Sequence, residues 1–220
     1  MGGRDETRSR ILETAGRIFA EKGFQGTTVR EICSTADVNL ASVNYHFGDK
    51  QRLYIEALKN AIRLRRAQVS LPVWSEGTHP SQKLRDFVRT LLTRMLGVSS
   101  TPWQSRLVMR EVFKPSEACR EMVRDCFRPE FELLCGLIEQ LLPAGASAVE
   151  IHQSAFGVVG QCLYYRTSSE VVCTLVGDAE YEEHYGVGRL AEHISRTTLA
   201  ALRASTVDAK SDQSQIDMLS

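Results

Sequence analysis

The sequence predicts an all-α protein, with an N-terminal three-helix module of the helix-turn-helix kind followed by a larger helical domain. Apolar residues recur at helical spacing along most of the 220 residues, and no segment alternates convincingly as a half-buried strand does. Glycine, proline and capping side chains divide that pattern into pieces of helix length.

In "RSRILETAGRIFAE" (8–21), Ile11, Leu12, Ala15, Ile18 and Phe19 share one helical face, and Gly23 supplies a C-cap. Thr28 and Glu31 have the spacing of a capping box, which opens a short second helix with Val29, Ile32, Cys33 and Ala36 inward. After a turn at Asp37, Asn39 is an N-cap for a third short helix from Leu40 to about Phe47. Gly48 ends that helix, and Asp49 caps a fourth that starts at Lys50 and turns Leu53, Ala57, Leu58, Ala61 and Ile62 inward. Two short helices joined by a tight turn and braced by longer ones make a helix-turn-helix.

The stretch "SLPVWSEGTHPSQ" (70–82) reads as a connector. Beyond it helices are expected at 82–97, 103–113, 116–127, 130–142, 147–170 and 187–204, with breaks at Pro102, Pro115, Pro129, 143–146 and 177–186. The polar tail lacks periodicity and is expected to be disordered. The domain division is therefore 1–66 for the helix-turn-helix with its connecting helix, 67–204 for the second helical domain and 205–220 for the tail.

A formal net charge of zero hides an asymmetry: residues 1–66 carry 12 Lys and Arg against 8 Asp and Glu, and the remainder 15 against 19. A basic module that meets an anion is thus joined to an acidic one that does not. The six cysteines (Cys33, Cys119, Cys126, Cys135, Cys162 and Cys173) include no C-x-x-C pair, so they form neither a zinc signature nor a disulfide framework. There is no nucleophile elbow, phosphate-cradling glycine loop or metal-ligand spacing; these absences argue against an enzyme, and no cofactor or metal is expected. No run approaches the roughly 20 apolar residues of a membrane span, and "MGGRDETRSR" lacks an apolar signal region, so a cytoplasmic protein with no membrane partner is expected.

Residues 8–58 resemble the DNA-binding domain of the tetracycline-repressor (TetR) family of bacterial transcription regulators. The resemblance is carried by the spacing of Phe19, Gly23 and Phe24, by "TTVREI", and above all by "YHF" followed by Gly48 and Lys50. Farther on, "MREVFKPSEACREMVRDCFRPEFELL" is similar to the CecR-like subgroup. The resemblance implies an all-helical homodimer whose two helix-turn-helix modules read a palindromic double-stranded DNA operator. It also implies that the C-terminal domain binds a small-molecule effector and mediates dimerisation, so that the effector releases the DNA and relieves repression.

A helix that enters a major groove about 12 Å wide needs short outward side chains. Leu40, Ala41, Ser42 and Asn44 meet that need, with Asn44 suited to an adenine edge and Ala41 to a thymine methyl. Val43 and Phe47, four apart, point back into the module. Tyr45, His46 and Lys50 are the expected phosphate contacts, with the Thr28 hydroxyl and the free amides at the second and fourth helix starts. Arg4, Arg8 and Arg10 would add backbone contacts from a flexible arm. The competing readings are a hydrogen-bonded surface histidine at His46, packing against the fourth helix at Tyr45, and a solvated face at Arg63, Arg65 and Arg66. Family members often carry tyrosine where this chain has Asn44, so its base preference there is its own.

For the effector, "WQSRLVMREVF" and "HQSAFGVVGQCLYYR" set polar residues among aromatics on apolar helices, as the wall of a ligand cavity would. The candidates are Arg106, Met109, Arg110, Phe113, Gln161, Tyr164 and Tyr165; ordinary core or interface is the competing reading, and Arg110 with Glu111 equally reads as a buried pair. Helices 147–170 and 187–204 are the expected dimer seam, with Ala155, Gly157 and Gly160 allowing close approach and Leu190, Ile194, Thr197, Leu199 and Leu202 supplying apolar contact. Dimerisation also follows from the task, since two recognition helices about 34 Å apart read successive major grooves. A redox trigger, through Cys126 with Cys135 or a pair between subunits, is the alternative to a small molecule.

Overall fold

The structure is a computed structural model; it describes residues 2–97 and 102–217, with side chains described for 5–97 and 103–204. Among the described residues every regular element is helical: α1 (Gly2–Gly26), α2 (Val29–Ala36), α3 (Leu40–Phe47), α4 (Lys50–Gln68), α5 (Pro80–Leu96), α6 (Pro102–Phe113), α7 (Ala118–Met122), α8 (Arg128–Glu139), α9 (Ala148–Thr167), α10 (Ser169–Val176), α11 (Asp178–His184) and α12 (Val187–Asp217), with one π-helical turn at Val123–Phe127. They pack as two compact units, one of Met1–Gln68 with Ser99–Pro129 and the other of Val69–Val98 with Glu130–Ser220.

The first unit is the three-helix module with α6, α7 and the π turn packed onto it. Ile11, Phe19, Ile32, Leu53, Leu58, Leu107 and Met122 are fully buried in one core. Phe19 meets the Tyr54 ring edge-on at 4.9 Å, and Phe24 lies 5.2 Å from the same ring. The Gly23 cap forms as expected, at φ 74°, where a side chain would be strained. The buried Thr27 hydroxyl then donates to Gly23 O at 2.8 Å and pins the bend.

A division by chain order at residue 66 does not anticipate α6 in this unit. Three features hold it there: Trp103 lies in the space left by Gly16 on α1, Arg110 donates to Glu21 O at 3.0 Å, and Glu111 accepts from the Tyr54 hydroxyl at 2.8 Å. Each joins residues more than fifty apart in sequence, which helical periodicity cannot reveal.

Ion pairs clasp α4 to α7 and the π turn: Arg52 and Lys59 to Glu121 at 3.0 and 3.1 Å, and Lys59 to Asp125 at 2.7 Å. Hydrogen bonding and charge from Lys59 and Arg52 lower the Glu121 pKa, and Arg124 and Lys59 hold Asp125 well below the usual carboxylate range. Carboxylates so depressed contribute stability above their ordinary pKa and lose it as pH falls through the folded one, so the clasp weakens only in acid.

Two expected breaks and the expected tail differ. Pro129 does not interrupt the chain, because α7, the π turn and α8 run on continuously; the wider π turn just before it spares the proline ring the carbonyl clash of a regular helix. In 177–186 the helix breaks at Gly177, at φ 88°, and again at Tyr185 and Gly186; between them Asp178 and Glu180 favour the start of α11 directly after the first break. Helix α12 continues to Asp217, through most of the stretch expected to be disordered, and no glycine or proline after Gly188 stops it.

In the second unit, α5, α8, α9 and α12 enclose Leu84, Val88, Leu92, Leu134, Ile138, Val158, Cys162 and Ile194. Arg94 ties two of its segments, donating to Val69 O and to Glu130, each at 2.7 Å. The residues expected at the dimer seam divide here. Ala155, Leu190, Ile194, Leu199 and Leu202 build this core, because they lie on the inward faces of α9 and α12, whereas Gly157, Gly160 and Thr197 are exposed. What α9 turns outward is Val149, Phe156 and Tyr164, each at least half exposed.

The helix-turn-helix turn itself holds one non-glycine residue at positive φ: Asp37, at φ 51°, whose amide closes α2 by donating to Cys33 O. Asp37→Gly is expected to be neutral or to stabilise by up to about 1 kcal/mol, and Asp37→Val to cost about 1–2 kcal/mol, read from thermal unfolding.

Candidate nucleic-acid interface

Helix α3, the expected recognition helix, is held by caps and a two-residue anchor. Asn39 Oδ1 accepts from the Ser42 amide at 2.8 Å and from the Ser42 hydroxyl at 3.0 Å. At the other end the Gly48 amide closes on Asn44 O at 2.8 Å. Val43 is fully buried and Phe47 nearly so, and these two fix which face α3 turns away from the module. That face carries Leu40 (48% exposed), Ala41, Asn44 and Tyr45 (63% exposed), with Ser42 and His46 half-buried beside it. Tyr45 and His46 meet edge-on at 5.1 Å.

The other expected contacts fall into place unevenly. The Thr28 oxygen accepts from the Glu31 amide at 3.2 Å, which leaves the hydroxyl proton available to a phosphate. The reciprocal half of the expected capping box goes elsewhere, because the Glu31 carboxylate accepts from Lys22 Nζ. Ser42 has spent its proton on Asn39 and keeps only acceptor capacity. Lys50 lies with its ammonium 4.4 Å above the Phe24 ring, a cation–π contact that fixes its direction. At the start of α4, Asp49 accepts from the Arg52 amide at 2.8 Å, so a carboxylate occupies a helix end expected to receive a phosphate.

No flexible arm carries Arg8 and Arg10: both belong to α1, and Arg8 pairs with Glu56 at 2.8 Å while stacking over Phe47 at 5.3 Å. Arg10 is exposed, and the Arg4 side chain lies outside the described residues.

The seven effector candidates do not share a unit. Arg106, Met109, Arg110 and Phe113 lie on α6 in the first; Gln161, Tyr164 and Tyr165 lie on α9 in the second. Arg106 and Phe113 are exposed, Met109 is half-buried, and Arg110 is spent on capping the end of α1. Arg110 and Glu111 are not each other's partners: Glu111 accepts from Tyr54, from the Ser116 amide at 2.7 Å and from the Ser116 hydroxyl at 2.9 Å. On α9, Gln161 donates to Gly157 O at 3.2 Å, Tyr164 is half exposed, and Tyr165 packs 6.1 Å from Tyr185. Periodicity also passed over Gln104, which is 3% exposed with its side-chain oxygen unpartnered among the described residues.

Burial pushes the Cys162 thiol up to about 12 and raises Cys135, and a hydrogen bond to Asp178 raises Cys173. These thiols are therefore poor sources of the reactive thiolate. Among the described residues no cluster of three metal-binding side chains occurs, and no helix is long and apolar enough to cross a membrane.

Comparison with known proteins agrees with this geometry. Residues 11–57 match the profile "Bacterial regulatory proteins, tetR family", and residues 80–202, more than half of the chain, match "HTH-type transcriptional dual regulator CecR, C-terminal domain". The chain belongs to the TetR family. Members of this family are DNA-binding transcription regulators and not enzymes, and residues 80–202 make the C-terminal part of this chain CecR-like. Among curated TetR relatives it is 50% identical over 44 residues to the probable regulator YttP of Bacillus subtilis, covering 20% of this chain and 21% of YttP. It is 30% identical over 118 residues to AcrR of Shigella flexneri, 53% of each chain. The chain thus spans between about a fifth and about half of the length of these relatives. The solved structure of AibR with isovaleryl coenzyme A and operator DNA shares the fold, with a TM-score of 0.55 and 22% identity, over 73% of this chain and 86% of AibR.

Proposed function

We propose that the protein is a cytoplasmic, ligand-responsive repressor that binds a palindromic operator as a homodimer and is released by a small molecule. The observation that carries this reading is the division of α3: Val43 and Phe47 lock it into the module while Leu40, Ala41, Asn44 and Tyr45 stand outward. Short side chains at the first outward positions let the helix approach base edges, Asn44 suits adenine, and Thr28, Tyr45, His46 and Lys50 border that face as donors to phosphate. Of the effector candidates, Gln161, Tyr164 and Tyr165 on α9 and Met109 on α6 remain free of a structural duty that would exclude a ligand. Gln104 joins them, because a buried unpaired carbonyl is costly unless something donates to it. AibR, with the same fold, is seen holding operator DNA together with an acyl thioester.

The test is a titration of the DNA upstream of its own gene at several salt concentrations. Specific binding should weaken steeply as salt rises, because Lys and Arg contacts release counterions. Asn44→Ala should cost about 1–3 kcal/mol on the operator and leave binding to unrelated duplex unchanged. Failure to shift any promoter-proximal fragment would count against repression at that site. The raised thiols argue against Cys135, Cys162 and Cys173 as the redox trigger; equal operator affinity under reducing and oxidising conditions would dispose of a trigger at any thiol.

A further inference from the structure

We infer that α10 and α11 form a docking arm that lies against the α12 helix of a second copy of this chain. The inference rests on the homodimer proposed above and adds α10 and α11 to the α9 and α12 seam.

The two helices are thinly attached to their own unit. Val172 is their one buried residue, whereas Val171 and Leu175, four apart and hence on one helical face, are 56% and 75% exposed. Leaving such a pair in water forfeits the gain that a covering partner would supply. The same segment is acidic: Glu170, Asp178, Glu180, Glu182 and Glu183 face no Lys or Arg within residues 169–184.

The complement lies on α12. Arg189, Arg196 and Arg203 recur every seven residues, which on a helix sets them along one face about 10 Å apart. All three are exposed, and none pairs with a carboxylate among the described residues. Across residues 187–204 the only acid is Glu192, and α9 carries only Glu150. Two copies joined along α12 would gather six α12 arginines at one seam, where like charges repel. The arm, which follows α9 and precedes α12, holds the densest run of carboxylates in the unit and an apolar pair to cover. Two-fold symmetry makes such a contact twice.

Sedimentation equilibrium of the full chain tests this with two charge reversals. One carries Glu170→Lys, Glu180→Lys and Glu182→Lys; the other carries Arg189→Glu, Arg196→Glu and Arg203→Glu. All six positions are solvent-accessible surface positions, so both variants should keep wild-type helicity. Each alone should dimerise at least about tenfold more weakly than wild type, while an equimolar mixture, in which arm and stripe are complementary only between chains, should recover to within about threefold. Two misfolded chains could not rescue each other. A mixture that associates no more tightly than its components, or variants that dimerise like wild type, overturns the arm. A wild-type chain that sediments as a monomer overturns the dimer itself, and the two failures are thereby distinguished.

Discussion

Gly16→Ala should lower the melting temperature by roughly 10 °C, an inversion of the effect the same change has on an open helix. In an exposed helix interior, alanine for glycine gains about 1 kcal/mol. At position 16 the added Cβ would lie 2.6 Å from Trp103 Cη2 and 3.1 Å from Cε3, with Cζ3 closer still. No rotation of a rigid indole clears three of its own ring atoms, so the ring must leave the groove. The cost then approaches that of losing a buried tryptophan, about 3–5 kcal/mol. Trp103→Leu, which shortens the intruding side chain, should itself destabilise, but Gly16→Ala added to it should cost far less than in the wild type. A coupling of about 1–3 kcal/mol between the two sites is expected in a thermal-unfolding cycle; simple additivity would show that Trp103 has room to move.

That groove marks where the fold ceased to be legible in the sequence. The three-helix module could be read nearly residue by residue because its signals are local: Thr28, Asn39 and Asp49 each cap a helix within three residues of themselves, Gly23 bends the end of α1 and Gly48 ends α3. Packing across long separations leaves no such mark. Gly16 reads as a weak point in a helix until Trp103, far along the chain, is placed upon it. Arg110 reads as a polar anchor for a ligand until Glu21 O appears as its acceptor. Proline misled for the opposite reason, since at Pro129 the local rule is sound but the π turn before it removes the clash on which the rule depends.

The outward face of α3 was more legible than any grouping of the effector candidates, and the cause is chemical. A recognition helix must bury one stripe and expose the next within a single turn, so Val43 and Phe47 at four-residue spacing settle where Asn44 and Tyr45 point. A ligand wall is assembled from several helices, and α6 and α9 fall in different units. Polar residues on an apolar helix then have many uses, of which α6 shows two: Arg110 on a helix end and Glu111 on a tyrosine.

Glu111→Ala should destabilise the first unit by about 3 kcal/mol, with Glu111→Gln intermediate. Glu111 is 1% exposed, and its two oxygens accept from three donors: Tyr54 Oη at 2.8 Å, Ser116 N at 2.7 Å and Ser116 Oγ at 2.9 Å. A carboxylate out of water is tolerable only when so supplied, and hydrogen bonds to a charged group are worth about 1.5–3 kcal/mol each. Alanine removes the charge but strands the Ser116 amide and the Tyr54 hydroxyl. Glutamine keeps one acceptor for Ser116 and offers Tyr54 a neutral partner. Burial and the neighbouring Glu111 charge both raise the Tyr54 pKa, so its hydroxyl remains a donor across the accessible pH range. Tyr54→Phe should therefore cost about 1.5 kcal/mol, and combined with Glu111→Ala it should cost little more than Glu111→Ala alone, because the two changes remove the same bond. Tyr54 lies on α4, the helix directly after the recognition helix, so its link to α6 also helps to set how α3 is presented. Operator affinity of Tyr54→Phe, measured well below its melting temperature, should fall while binding to unrelated duplex holds. Equal loss on both would mean that the bond stabilises the module without orienting its reading helix.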